Sequence, residues 1–193
     1  MFIEPMLFSF ILAKFRNGKF ENIEKLEFRQ WYLILIAGGI QLALTILRKV
    51  NPIWAAPLLG DYFKYIHIFS YILIIYCILM NIKKPSMKFF LIGVLLNFLV
   101  IAANSGKMPV SITGFKGINS STTIELPTRE FDIKHTAVSP DTKLVYLSDI
   151  ILISKPYPLP KILSIGDIFI MLGLFIFIQE IMLLKDNKTS QFP

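Results

Sequence analysis

Apolar residues in this chain arrive in blocks rather than in alternation, and most of its polar residues fall between the blocks. Five blocks stand at about 2–13, 31–47, 66–82, 89–103 and 168–184. The last four hold fifteen to seventeen residues each, close to the length of helix that a hydrocarbon core of roughly 30 Å requires. The pattern predicts an all-α integral membrane protein: one domain over 1–193, built as a bundle of about five transmembrane helices. One long interblock segment, 104–163, is predicted to be extracytoplasmic.

Each block carries its own punctuation. The first is interrupted by Glu4 and Pro5, and its basic residues, Lys14, Arg16 and Lys19, follow it. A secretory signal has the opposite order and a small-residue cleavage site, so this block is expected to remain as a span. Gly38 and Gly39 in the second block are expected to let a neighbouring helix approach closely. The third opens with Tyr62, Tyr65, His67 and Tyr71, an aromatic cluster suited to a membrane interface. The fourth carries Gly93 and Asn97, and the fifth ends at Lys185.

Composition supports the same class. The chain is 54% hydrophobic with a mean hydropathy of +0.62, beyond the roughly 45–50% apolar content of ordinary soluble domains. The net charge of +7 reads as lysines flanking spans, because no basic patch is interleaved with exposed aromatics as nucleic-acid binding requires. Ten basic residues fall in the first and third short loops and the tail, against three in the second short loop. The excess of positive charge on the cytoplasmic side then places the N-terminus outside and the C-terminus in the cytoplasm. Cys77 is the one cysteine and, lying in an apolar block, supports neither a disulfide framework nor a metal site.

Segment 104–163 is where a site has room. Its first part, 105–140, is turn-rich (SGKMP, TGFKG, NSSTT, SPD), Asn119-Ser-Ser is a glycosylation sequon, and Thr142–Ile153 is expected to form a short amphipathic helix. The prolines of KPYPLPK forbid a helix and reverse the chain, so that Asp149 and the start of the last block turn back toward each other. No nucleotide, zinc or serine-hydrolase motif is present, and nothing calls for a cofactor. The expected partners are the bilayer and a membrane-anchored peptide, lipid or protein.

Candidate binding residues are Asn97, Asn104, Lys107 and His135. Asn97 and Asn104 are seven apart and would share a helix face, either as interhelical hydrogen-bond links or lining a cavity. Asp167 has two readings. Ser164-Ile-Gly-Asp167 has the form of a capping box ahead of an apolar helix, where a carboxylate also meets the positive end of the helix dipole. Alternatively, Asp149 and Asp167 are brought together as a pair sharing one proton. One would activate water while the other, protonated, polarises a carbonyl, which is aspartyl-peptidase chemistry.

Two resemblances bear on these readings. Asn104-Ser-Gly-Lys-Met-Pro-Val110 and Ser164-Ile-Gly-Asp167, with His135, Thr142-Lys-Leu and Leu147-Ser-Asp149 between them, resemble the blocks of an uncharacterised family of bacterial polytopic membrane proteins, a domain of unknown function. Those blocks read Asn-Gly-Gly-x-Met-Pro-Val and Ser-Ile-Gly-Asp, so Ser105 stands where that family has glycine. Membrane location is what this resemblance implies. More locally, Val145-Tyr-Leu-Ser-Asp149, Pro158-Leu-Pro160 and Ser164–Asp167 are similar to the aspartate blocks of lipoprotein signal peptidases, which would make Asp149 and Asp167 a catalytic pair. Gly166 replaces an alanine of that pattern.

Overall fold

The computed structural model describes residues 3–111, 133–153, 156–157 and 161–184. The sequon at Asn119 and most of the turn-rich stretch lie outside them. Six helices are described: α1 Ile3–Phe15, α2 Tyr32–Val50, α3 Ala56–Leu59, α4 Phe63–Met80, α5 Pro85–Ala103 and α6 Ile165–Met182. Of these, α2, α4, α5 and α6 are long and apolar enough to cross a membrane. Large apolar side chains such as Leu35, Leu42, Ile46 and Leu99 stand at least half exposed, which suits a lipid surround rather than water.

The helix ends follow local chemistry. Helix α2 stops where Asn51 enters the left-handed region at φ 46°, with Pro52 beyond it. Helix α5 begins on Pro85, whose missing N–H is one of the donors a first turn leaves unused. Helix α6 opens on the complete capping box: the Ser164 hydroxyl accepts from the Asp167 amide, and the Asp167 carboxylate accepts from the Ser164 amide.

Helices α5 and α6 meet along glycines. A Cβ on Gly93 would lie 2.5 Å from the Gly166 carbonyl oxygen, and one on Gly173 would lie 3.0 Å from the Phe90 backbone nitrogen. Such contact lets two backbones approach as closely as small residues permit. At the far end of this seam, the Glu180 carboxylate accepts from the Ser86 amide at 2.9 Å and its hydroxyl at 2.6 Å. An acid there also meets the positive N-terminal end of α5.

Helix α1 lies against α6. Its Ser9 hydroxyl donates to the Phe175 carbonyl at 2.8 Å, and the Gln179 amide donates back to the Ser9 carbonyl at 2.7 Å. Its 13 residues reach about 20 Å at 1.5 Å per residue, short of a full crossing by length alone. Its neighbours nevertheless run from Lys161, which pairs with Glu4, to Met182, which clusters with Ala13 and Ile178. Helix α2 packs on α4 around Leu44 and Phe63. A Cβ placed on Gly38 or Gly39 would meet nothing within 4 Å, so among the described residues these glycines admit no close helix.

Two small pairings depart from an all-helical chain. Strands β1 (Met108–Val110) and β2 (His135–Ala137) run parallel, and β3 (Ile151–Ile153) and β4 (Lys161–Leu163) antiparallel. The helix expected over Thr142–Ile153 is not formed. A single 3-10 turn at Val145–Leu147 gives way to Ile151-Leu-Ile, a β-prone run that finds a partner strand immediately before α6.

Candidate functional site

Asp167 is fixed by the seam. Gly166 lies so close to α5 that a Cβ on it would stand 2.0 Å from Asn97 Oδ1. Asn97, one turn and a half from the end of α5, donates from Nδ2 to Asp167 Oδ1 at 3.0 Å and accepts from the Ser164 hydroxyl at 2.9 Å. Asp167 Oδ2 accepts from the Ser164 amide at 3.1 Å. Both carboxylate oxygens are therefore engaged, and the side chain is 9% exposed.

Asp149 is held by its backbone instead. Its amide donates to the Pro109 carbonyl at 3.0 Å, and its carbonyl accepts from the Ser111 amide at 2.9 Å. The Met-Pro-Val strand thus has β2 on one side and Asp149 on the other. That strand is reached through a tight turn in which Ser105 (φ 57°) and Gly106 (φ 80°) are both left-handed. A Cβ at Gly106 would meet Lys64 Cα at 2.8 Å, and the Gly106 carbonyl lies 2.6 Å from His67 Nδ1. On the other flank, β3 pairs Ile151 with Leu163, the residue before Ser164. The antiparallel pairing of β3 with β4 returns the chain from Asp149 to the start of α6, while Pro158 and Pro160 of the expected proline reversal lie outside the described residues.

The side chain of Asp149 has a different standing from its backbone. Its Oδ1 is buried without a hydrogen-bond partner among the described residues, as is the hydroxyl of the adjacent Ser148. Burial, and then the negative charge of Asp167, push its carboxyl from the usual range up to about 7. Both aspartates line one cavity of about 270 Å³, whose walls also carry Asn97, His67, Tyr71 and Gln41. Lys134 and His135 complete its polar lining.

The four expected binding residues separate here. Asn97 and His135 reach the cavity. Asn104 caps α5 and clamps the following loop, donating to the Val100 and Lys143 carbonyls at 2.8 Å each and accepting from the Lys143 amide at 2.9 Å. Lys107 is exposed and is not a wall of the cavity. Gln41 and Lys134 escaped the sequence reading, and His67 and Tyr71, expected as interface aromatics, line the cavity instead, with His67 buried. A signal existed: His67, Ser70 and Tyr71 are spaced three and four apart, a polar stripe inside an apolar helix, and such residues face the bundle interior. Among the described residues, no cluster of three His, Cys, Asp or Glu side chains is placed to hold a metal ion.

No solved structure matches this chain. An uncharacterized protein of Thermotoga maritima is 27% identical over 177 residues, which cover 92% of this chain and 89% of that protein. Residues 25–179 match a family of unknown function, DUF5317. The chain belongs to that family.

Proposed function

We propose that this is an integral membrane protein that binds a ligand in the cavity between the end of the helical bundle and segment 104–163. The observation that carries this reading is Asp149 Oδ1, a buried carboxyl oxygen of a cavity-lining residue with no hydrogen-bond partner among the described residues. A buried polar atom left unpaired costs roughly 1–3 kcal/mol, and a ligand donor or acceptor supplies the missing bond. In this reading α1 is a fifth crossing, since its contacts run from Lys161, just before α6, to Met182 at the end of α6. The distribution of lysines then puts the N-terminus and the cavity outside and the C-terminus in the cytoplasm.

The test is thermal stability in detergent between pH 5 and 8. A folded-state carboxyl near 7 holds its proton more tightly than the unfolded chain, whose value is about 4. Wild type therefore loses stability as pH rises through that interval and levels off above it. Asp149→Asn removes the charge, so its stability relative to wild type should rise from pH 5 to about 7, at about 1.4 kcal/mol per unit, and then hold to pH 8. Asp167→Asn should lower the midpoint throughout, because its carboxylate caps α6. Equal destabilisation by both variants would make Asp149 a structural residue and end the binding reading.

A second reading, an intramembrane aspartyl peptidase, is favoured by one observation: the two aspartates share a cavity, and Asp149 titrates near neutrality beside Asp167. Water would add to a peptide carbonyl carbon, giving a proton to Asp167, while protonated Asp149 passes its proton to the carbonyl oxygen. The resulting diol would collapse with cleavage of the C–N bond, the amine leaving with the proton held by Asp167 and Asp149 recovering one from the diol. Either Asn variant should stop cleavage of a membrane-anchored peptide at unchanged expression. Continued cleavage by both would sink this reading.

A further inference from the structure

We propose that the ligand is a membrane lipid with an uncharged, hydroxyl-bearing head, seated with its head in the polar cavity and its apolar chain in the adjoining groove. This rests on the binding reading above and names its ligand class. The groove, of about 830 Å³, opens between α2 and the α4, α5 and α6 bundle, with Ile74, Val94, Ile170 and Phe177 on its floor and Trp31 at its far end. Its volume falls within the roughly 300–1,000 Å³ of ordinary ligand pockets.

The two spaces adjoin. Gln41 and Tyr71 line both of them, so the polar cavity and the apolar groove meet at these two side chains, at the middle of α2 and α4. From that neck the groove follows Tyr71 to Ile78 on α4, Val94 to Met87 on α5 and Ile170 to Phe177 on α6. Each path is two helical turns, about 10 Å at 1.5 Å per residue. A polar compartment adjoining an apolar one across two shared side chains matches a molecule that is itself divided in this way, its chain passing between Gln41 and Tyr71, and a purely polar solute would leave the groove unused.

The head chemistry follows from the walls. Two carboxyl groups disfavour a phosphate or carboxylate head, against Lys134 and the imidazoles of His67 and His135 on the described walls. A hydroxyl both donates and accepts, so it can pair with Asp149 Oδ1 whether that group carries its proton or not. Bulk lipid could wet the groove from the bilayer. Selection by the head distinguishes a bound lipid from that background.

The experiment uses the full chain in nanodiscs with Trp54→Phe, which leaves Trp31 as the single tryptophan of the two in the sequence. The probe is a monoacylglycerol brominated along its acyl chain, which quenches Trp31 on contact. Saturable quenching is expected, competed by unbrominated monoacylglycerol and at least tenfold weaker for a fatty acid with the same brominated chain at pH 8. Asp149→Leu, which cannot hydrogen-bond the head, and Ile74→Phe, which fills the groove, should each weaken binding at least tenfold. Leu35→Phe, at a 63% exposed wall position, obstructs the groove without touching the packed core and should act in the same direction.

Saturable binding that is lost in Asp149→Leu but unchanged in both groove variants overturns the placement of the chain and leaves the cavity reading intact. Equal binding of the fatty acid overturns the head assignment. Quenching that rises linearly with lipid content and ignores every variant overturns the proposal. The cavity reading would then still be judged separately, by the pH dependence of Asp149→Asn.

Discussion

The α5–α6 seam and the α2 flank both carry glycines in apolar helices, yet they behave in opposite ways. At the seam, Gly93 and Gly166 bring backbones into contact, and the contact is locked at each end by an acid: Asp167 through Asn97 and Ser164, Glu180 through Ser86. On the flank, Gly38 and Gly39 face no close neighbour, and the polar link from α2 to α4 is a 3.2 Å bond from Gln41 Nε2 to the Ser70 hydroxyl. Glycine permits close approach, but directional hydrogen bonds decide where the approach is made. The tight side fixes Asp167, and the loose side forms the wall of the groove.

The comparison breaks most visibly at Gly166. An alanine Cβ there would stand 2.0 Å from Asn97 Oδ1 and 2.7 Å from the Gly93 carbonyl oxygen, so Gly166→Ala should destabilise by about 3 kcal/mol or more. A thermal midpoint in detergent reads this directly, and an unchanged midpoint would mean that the seam is not closely packed. Next, Glu180→Ala leaves the Ser86 amide and hydroxyl without their partner, for a loss of about 2 kcal/mol. Ser164→Ala removes the cap acceptor and should cost about 1 kcal/mol. The smallest effect has the opposite sign. Gly38→Ala and Gly39→Ala should each stabilise by about 0.5–1 kcal/mol through helix propensity, and a loss of stability would instead reveal a helix of a second copy packed on α2.

Features that depend on local chemistry were legible in the sequence. The apolar blocks located the four long helices to within a few residues. Ser164 and Asp167 announced their reciprocal cap because that bond joins residues three apart. What escaped depends on partners distant along the chain. Ile151-Leu-Ile becomes a strand because Lys161–Leu163 lies beside it, and Asp149 is positioned by Pro109 and Ser111, neither of which advertises that pairing. Gly38 and Gly39 have the same local appearance as Gly93, and only the identity of the facing helix separates them. Asn104 shares the spacing expected of a face with Asn97 but falls just past the end of α5, where capping claims its side chain.

The pairing of α1 with α6 has a consequence for the order of assembly. Ser9 and Gln179, which bond to each other and are buried, stand 170 positions apart. A chain emerging at about 5–20 residues per second therefore makes α1 roughly ten to thirty seconds before its partner. Until then the Ser9 face of α1 must be shielded by lipid headgroups, by water at the interface or by an insertion factor, and the bundle closes when its last helix arrives.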